Sequence, residues 1–416
     1  MDLPSKNSHR PLIMISGLPR PAVHALSRSL LESAGTVLIH HDLTEVAAGV
    51  VLRRVSFHGA DGTREDEQRL ELAHGCLSCT LREDVLPLLR SFARRPEVRR
   101  LVLQLDPSLE PWTVSWCLPN VTLDDGRVAA EYVRVEAVIS VLQAANWLTD
   151  AAGDVPLREV GLAAAVDDER NLAQLVINHA EAADVIMLSG HAAEPWQQVR
   201  TNAVLDRIAP IAPRIHVPAD VRLDAERLLA LVPESARRGA TSEPYDSLLP
   251  GEPPLMPDCG VALTYFSDPR PFHPGRFHEA LATILPGTVR IRGRLWLATQ
   301  PDATLWLETT GGAARVGRVG TWLAAGGWTG AEPERSALAA ATWHPRYGDR
   351  RQEITVVAHD LSPGTVTEML TGALLTDDEL AAEKLWAGWP DPFAERHVDP
   401  HEDREESATR ADQESL

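Results

Sequence analysis

Over its first two hundred residues the chain alternates short apolar runs with stretches of helical period, and this alternation restricts the fold more than any other feature. Leu12–Ser16, Val37–His40, Val50–Phe57, Leu101–Leu105, Val133–Val141 and Val185–Leu188 read as strands. Apolar faces at helical spacing lie between several of them, over Val23–Leu31, Leu81–Ala93, Asn171–Ala182 and Trp196–Ile208. Strands that alternate with helices predict a parallel, doubly wound sheet. The pattern then breaks at Ser235–Pro257, a stretch rich in Pro, Gly and Ser that reads as a linker. Beyond it, Val261–Phe266, Val289–Ala298, Thr304–Glu308 and Glu353–His359 read as strands, with helices over Pro274–Ile284 and Thr365–Leu374. That order predicts a small α+β domain with helices on an antiparallel sheet. The tryptophans of this half, Trp296 and Trp322 among them, are expected to serve packing. The predicted division is 1–235, a Pro-rich linker 236–258, a second domain 259–395 and an acidic tail 396–416.

Charge and cysteine content narrow the function classes. A net charge of −19 argues against nonspecific binding to DNA or RNA. No apolar run approaches the roughly 18 residues that span a bilayer, and the polar start Met1–Arg10 lacks a secretory core. Four scattered cysteines are too few for a disulfide framework, so the expected compartment is the reducing cytoplasm, with no membrane partner. The tail from His397 holds seven acids and two arginines and reads as a solvated segment. His397 and His401 offer donors beside Asp399, Glu402 and Asp403, but the entropy of ordering such a tail opposes a metal site there.

The chemistry concentrates in His74-Gly75-Cys76-Leu77-Ser78-Cys79-Thr80-Leu81-Arg82-Glu83-Asp84. Thr80 and Glu83 have capping-box spacing ahead of an apolar face, which predicts a helix start with both thiols at its positive end. Such a pair binds a soft metal, does redox chemistry or packs inertly. Zinc is the reading preferred here, through Cys76, Cys79 and His74, with His40, His41, Asp42 or Glu71 completing the shell. A thioredoxin-like redox pair would open the helix after the first strand, which is not the arrangement found. Cys117 and Cys259 sit in apolar surroundings and are expected to be buried structural thiols.

The run Gly-Cys-x-x-Cys-Thr-x-Arg-x-Asp, followed by Arg270-Pro271-Phe272-His273-Pro274, Gly293-Arg294-Leu295-Trp296-Leu297-Ala298 and Leu374-Leu375-Thr376-Asp377-Asp378-Glu379, resembles the CobW-type (CobW/HypB/UreG) family of P-loop GTPases that handle metals. The resemblance implies a GTPase-like doubly wound domain followed by a CobW-type α+β domain. It also exposes departures. The family's Gly-x-x-Gly-x-Gly-Lys-Thr-Thr loop is here Gly17-Leu18-Pro19-Arg20-Pro21-Ala22-Val23-His24-Ala25, without the phosphate-binding lysine or the Mg²⁺-binding hydroxyl. Gln104-Leu105-Asp106-Pro107-Ser108 replaces the second phosphate-sensing segment, with Asp106 a possible metal holder. Leu188-Ser189-Gly190-His191 replaces the guanine-reading motif. GTP is therefore not expected as a cofactor, and GTPase activity is left open.

Ser78 stands where the family's Gly-Cys-x-Cys-Cys motif has its middle thiol. That departure, with Arg290-Ile291-Arg292-Gly293-Arg294, resembles a branch of the family that recruits a hibernation-promoting factor to ribosomes when zinc is scarce. The resemblance implies a zinc-responsive adaptor whose partners are that factor and the 30S or 70S ribosome. Two arginine clusters are its candidate contacts. Arg94, Arg95 and Arg99 lie with Arg90 and Arg100 on and after the thiol helix, and Arg292 and Arg294 share a strand face with Arg290. Solvated faces with local ion pairs are the simpler reading of both. The alternatives are a zinc metallochaperone that delivers metal to clients, and a redox-sensing scaffold.

Overall fold

The computed structural model describes residues 9–59, 61–72, 77–165, 167–192, 194–218, 224–240 and 243–394. His74, Cys76 and the tail bearing His397 and His401 lie outside the described residues. The chain forms two compact units, divided between Thr241 and Ser242.

The first unit is built on an eight-stranded sheet in the order β4-β3-β2-β5-β1-β6-β7-β8. Its strands are β1 (Arg10–Gly17), β2 (Thr36–Asp42), β3 (Val50–Gly59), β4 (Gly62–Glu71), β5 (Arg100–Gln104), β6 (Val133–Gln143), β7 (Val185–Ser189) and β8 (Arg214–Val217). From β2 through β8 the strands run parallel, as the alternation with helices requires. Leu12, Met14, Ile13 and Ile15 of β1 are fully buried, because helices cover both faces of the sheet. Ile13 and Ile15 meet Val23, Leu26 and Leu30 of helix α1 (Arg20–Leu31). Leu12 and Met14 join the core under Leu81, Val85, Leu86 and Leu89 on the other face.

The antiparallel β3–β4 hairpin extends the sheet beyond β2. β4 has no place in the sequence expectation, since Gly-Thr-Arg-Glu-Asp-Glu-Gln-Arg-Leu-Glu carries no apolar face. Hairpin pairing with β3 makes it a strand regardless. Downstream of β4 the chain is helical over Leu77–Thr80, continues as a π-turn over Leu81–Val85 and returns to α-helix over Leu86–Ala93. This thiol helix corrects the expected cap. Thr80 has helical dihedrals and makes no side-chain capping bond, so it lies inside the helix, and Cys79 belongs to the first described turn.

The second unit holds an antiparallel sheet ordered β12-β11-β10-β13-β9. Its strands are β9 (Ala262–Asp268), β10 (Thr288–Leu295), β11 (Ala303–Thr310), β12 (Ala313–Thr321) and β13 (Gln352–Ala358). Helices Pro274–Ile284 and Pro363–Ala373 lie on one face, where Phe277, Ile284, Val366 and Leu370 pack on Ile291, Leu307 and Ile354. Residues 243–250 of the Pro-rich stretch belong to this unit, and the carbonyls of Pro244 and Asp246 accept hydrogen bonds from Arg294. Trp296, Trp322 and Trp386 form a small buried cluster with Leu375 and Leu380. Cys259 departs from its expected burial. It is half-buried in a turn at φ 51°, and its thiol donates to Asp258 at 3.0 Å.

The arginine face of β10 is corrected as well. Arg290 and Arg294 are 4% exposed. Arg290 pairs with Glu308, while Arg294 donates to Glu353 from Nε at 2.8 Å and from Nη2 at 2.5 Å. The alternation that aligns them with Arg292 turns them toward a covered face, so Arg294 is a buried structural cation and offers nothing to a ribosome. Arg292 is half-buried beside Glu308.

Candidate metal centre and altered phosphate loop

Ligands of doubly wound sheets bind beyond the carboxyl ends of the strands, so the ends of β1, β2 and β5 frame the site. Only Leu18 and Pro19 separate β1 from α1. The amides at the helix start are already used: Arg20 N–H donates to Leu18 O at 2.7 Å, and Ala22 and Val23 N–H donate to Pro19 O at 2.9 and 3.1 Å. Pro21 has no N–H to give. A phosphate cradle needs several such amides pointing outward, and this loop presents none from the helix start. The Arg20 guanidinium lies 3.4 Å from Asp106 and 4.0 Å from Asp42, so its charge is spent on two carboxylates of the same site. The residues here do not fit a nucleotide's phosphates with Mg²⁺.

Gly17, the one glycine that survives from the loop, has a separate reason to stay. Its φ is +139°, and a Cβ there would sit 2.1 Å from the Val141 carbonyl oxygen of neighbouring β6. Gly17→Ala is therefore expected to cost at least about 2 kcal/mol, through overpacking between paired strands. Urea unfolding of the variant measures this, and a midpoint equal to wild type would show that the strands can part freely.

Asp106 is also committed. Oδ1 accepts from the Ser108 amide and hydroxyl at 3.0 and 2.8 Å, and Oδ2 accepts from the Leu43 amide at 3.3 Å. This turn carries Asp106 as a structural acceptor instead of a metal holder. Four residues on, Glu110 is 2% exposed and accepts from Arg170 at 3.2 Å, from Asn178 at 3.0 Å and from the Trp112 indole. Burial pushes the Glu110 carboxyl upward against the pull of Arg170. Arg170 in turn holds Asp168 at 2.8 Å. The 106–110 loop, which a nucleotide-switched protein must move, is pinned to helix Leu172–Glu181 by a satisfied ionic network. At the guanine position, Gly190 N–H donates to Val217 O at 3.0 Å and His191 is exposed.

Two of the candidate metal donors, His40 and His41, stand at the end of β2 on opposite faces of the sheet. Strand alternation turns His40 toward α1 with Leu38, and His41 toward the thiol helix with Ile39. His40 Nδ1 bonds the Gln104 carbonyl at 3.1 Å and borders a groove of about 720 Å³ together with Arg20, Asp42, Arg54 and Glu67. His41 is 4% exposed, and its Nε2 lies 2.6 Å from Asp84 Oδ2. Its Nδ1 is buried without a partner among the described residues. A cavity of about 10 Å³ is lined by His41, by Leu77, Thr80 and Leu81 of the thiol helix, and by Leu43 and Leu103 on the sheet side. A buried imidazole nitrogen without a partner beside a thiol motif is a candidate donor to a soft or borderline metal ion. Among the described residues no three His, Cys, Asp or Glu side chains form a metal cluster. Glu71, at the exposed end of β4, stays outside this pocket. Of the four residues offered on sequence to complete the shell, only His41 has a buried polar atom without a partner among the described residues.

The first arginine cluster separates into two kinds. Arg90 pairs with Asp124 and Asp125, and Arg100 with Glu136 and Glu226. Arg94, Arg95 and Arg99 are exposed, with Arg95 lying over the Phe92 ring.

The fold defines a GTPase-type α/β domain with an altered phosphate loop and a thiol motif at a helix start, joined to a tryptophan-rich α+β domain. Residues 42–213 match the CobW/HypB/UreG nucleotide-binding domain and residues 261–374 the cobalamin synthesis protein CobW C-terminal domain, and the chain belongs to this family. The first match begins past the altered loop at Gly17–Ala25. A zinc chaperone of Mycobacterium tuberculosis is 38% identical over 402 residues, 94% of each chain. The zinc-regulated GTPase metalloprotein activator 1 of Dictyostelium discoideum is 22% identical over 346 residues, 79% of this chain and 71% of its own. The Zn(II)-bound YjiA GTPase of E. coli aligns over 88% of this chain and 99% of its own at 13% identity, with a TM-score of 0.36. Among the described residues no helix is long and apolar enough to cross a membrane.

Proposed function

We propose that this chain is a zinc metallochaperone that works without nucleotide, holding Zn²⁺ as cargo through Cys76, Cys79 and His41 and passing it to a client protein. The observation that carries this reading is the buried, partnerless His41 Nδ1 beside the thiol helix. Two thiolates and one imidazole form a nitrogen–sulfur set suited to zinc, and three protein ligands leave a fourth position through which the metal can be exchanged. The 38% identical zinc chaperone supports the same class of activity. The closed loop at Gly17–Val23 and the pinned 106–110 loop support handling of zinc without a GTP-driven switch.

Zinc competition against a chromophoric chelator tests the reading. Wild type should bind one Zn²⁺, and Cys76→Ser with Cys79→Ser should weaken binding at least a hundredfold. Unchanged affinity in that double variant would sink the proposal. His41→Ala and His74→Ala compared side by side identify the third donor, and calorimetry with GTP and Mg²⁺ should show no binding heat. The ribosome-adaptor reading rests on the 74–80 run and on Arg94, Arg95 and Arg99, now without the β10 arginines. Charge reversal of these three residues should leave zinc transfer unchanged. A loss of ribosome co-sedimentation in the same variant would favour the adaptor.

A further inference from the structure

We infer that strand β4 is a flap over the groove beside α1, held shut by the Arg28–Glu65 ion pair and free to open while the rest of the sheet stays folded. The groove, of about 720 Å³, has two walls and a floor. Arg20, His24 and Arg28 recur every four residues and so share one face of α1, which is the first wall. Glu65 and Glu67 share one face of β4, the second wall, and Ser56 of β3 lies on the floor opposite Glu65 in the register. A cationic helix face thus looks across the groove at an acidic strand face. Arg28 and Glu65 meet across it and join the two walls.

The two strands of the hairpin are anchored very differently. In β3, Val51 is fully buried, and Val55 and Phe57 pack on the same core. Its far end is tied to the start of β2, where Gly35 N–H donates to His58 O at 2.9 Å. In β4, Thr63 through Arg69 are exposed, and Leu70 alone packs against the core. The side-chain ties of β4 are polar and open to water: Arg28–Glu65 at 43% and 59% exposure, Arg54–Glu67, and Arg69–Glu45 at 3.7 Å. Exposed ion pairs are individually weak and are screened by salt. Segments with few buried apolar contacts open locally, well before the whole domain unfolds. The base of the hairpin stays shut, because Leu72 N–H donates to Gly49 O at 2.8 Å beside the packed Leu70. Opening therefore starts toward the tip and pivots at 70–72. The Arg69–Glu45 tie lies near that pivot, so Arg28–Glu65 is the fastener of the moving end.

Thiol labelling of Ser56→Cys in the full-length chain tests the inference, because this position is 8% exposed on the groove floor under β4. Reaction with a maleimide is followed by mass on the peptide that contains residue 56, so the native cysteines do not interfere. Adding Arg28→Gln should speed labelling roughly two- to fivefold. Raising salt to about 1 M should speed the form that keeps Arg28 by a similar factor, and the Arg28→Gln form by less. The reversed pair, Arg28→Glu with Glu65→Arg, should return labelling toward its original rate. Hydrogen exchange reads the same motion without a new cysteine, and serves alone if Ser56→Cys fails to fold. Amides of 62–69 should exchange faster than those of β1 and β5 and accelerate further in Arg28→Gln, while β1 and β5 stay unchanged. Exchange in β4 as slow as in β1, or rates that Arg28→Gln does not alter, would overturn the inference.

Discussion

Arg294→Ala should destabilise the second unit by about 3 kcal/mol, the low end of the cost of breaking a buried ion pair. The loss is no larger because Arg351 at 3.7 Å and the Tyr265 hydroxyl at 3.1 Å still face Glu353. The Glu353 side chain is 6% exposed and would lose two charge-assisted donors. The same change frees the carbonyls of Pro244 and Asp246, so the segment at 243–250 loses its anchor on the sheet. Tryptophan fluorescence during urea unfolding reports on this unit, which holds the Trp296–Trp322–Trp386 cluster. Replacing both partners, Arg294→Met with Glu353→Leu, should restore much of the loss, because neither buried charge then remains. A single-variant cost under about 1 kcal/mol would mean that the pair is solvated and of little structural weight.

Stability of the first unit should fall by about 3 kcal/mol in all as pH drops from 6.5 to 4, through His179 alone. His179 is fully buried in helix Leu172–Glu181, and burial lowers its pKa to about 4. The unfolded chain takes up this proton near pH 6.5, whereas the folded chain resists it until about pH 4. Stability is thus complete above pH 6.5 and declines through that window. His179→Gln cannot titrate, so the wild-type minus variant difference in unfolding free energy should slope across pH 6.5–4 and level off outside it. A difference independent of pH would place the proton elsewhere.

The doubly wound core was legible because buried parallel strands are continuous apolar runs, and β1, β2, β5 and β7 fall within two residues of where the runs lie. β4 was invisible for the opposite reason, since six charged residues in ten leave no period to read. The capping box failed because spacing alone cannot tell a cap from a helical interior; Thr80 has the right partner at Glu83 and the wrong dihedrals. Arg290 and Arg294 misled because strand alternation reveals that residues share a face, without saying what covers it. The altered phosphate loop was readable from its missing lysine, but the capture of Arg20 by Asp42 and Asp106 needed coordinates. His41 was one donor among several until the structure showed which of its nitrogens lacked a partner.

The charged β4 edge has a bearing on how the molecule behaves in a crowd. It is a ten-residue exposed strand at the margin of the sheet, with its outer backbone groups open to any passing strand. If two copies met antiparallel about its centre, Arg64 would face Arg69 and Asp66 would face Glu67. Like charges directly opposite one another repel across a strand pair. That register is therefore disfavoured, whereas an offset of two residues would set Arg64 against Glu71 and Asp66 against Arg69. The charges of this edge thus select which pairing a second copy could adopt.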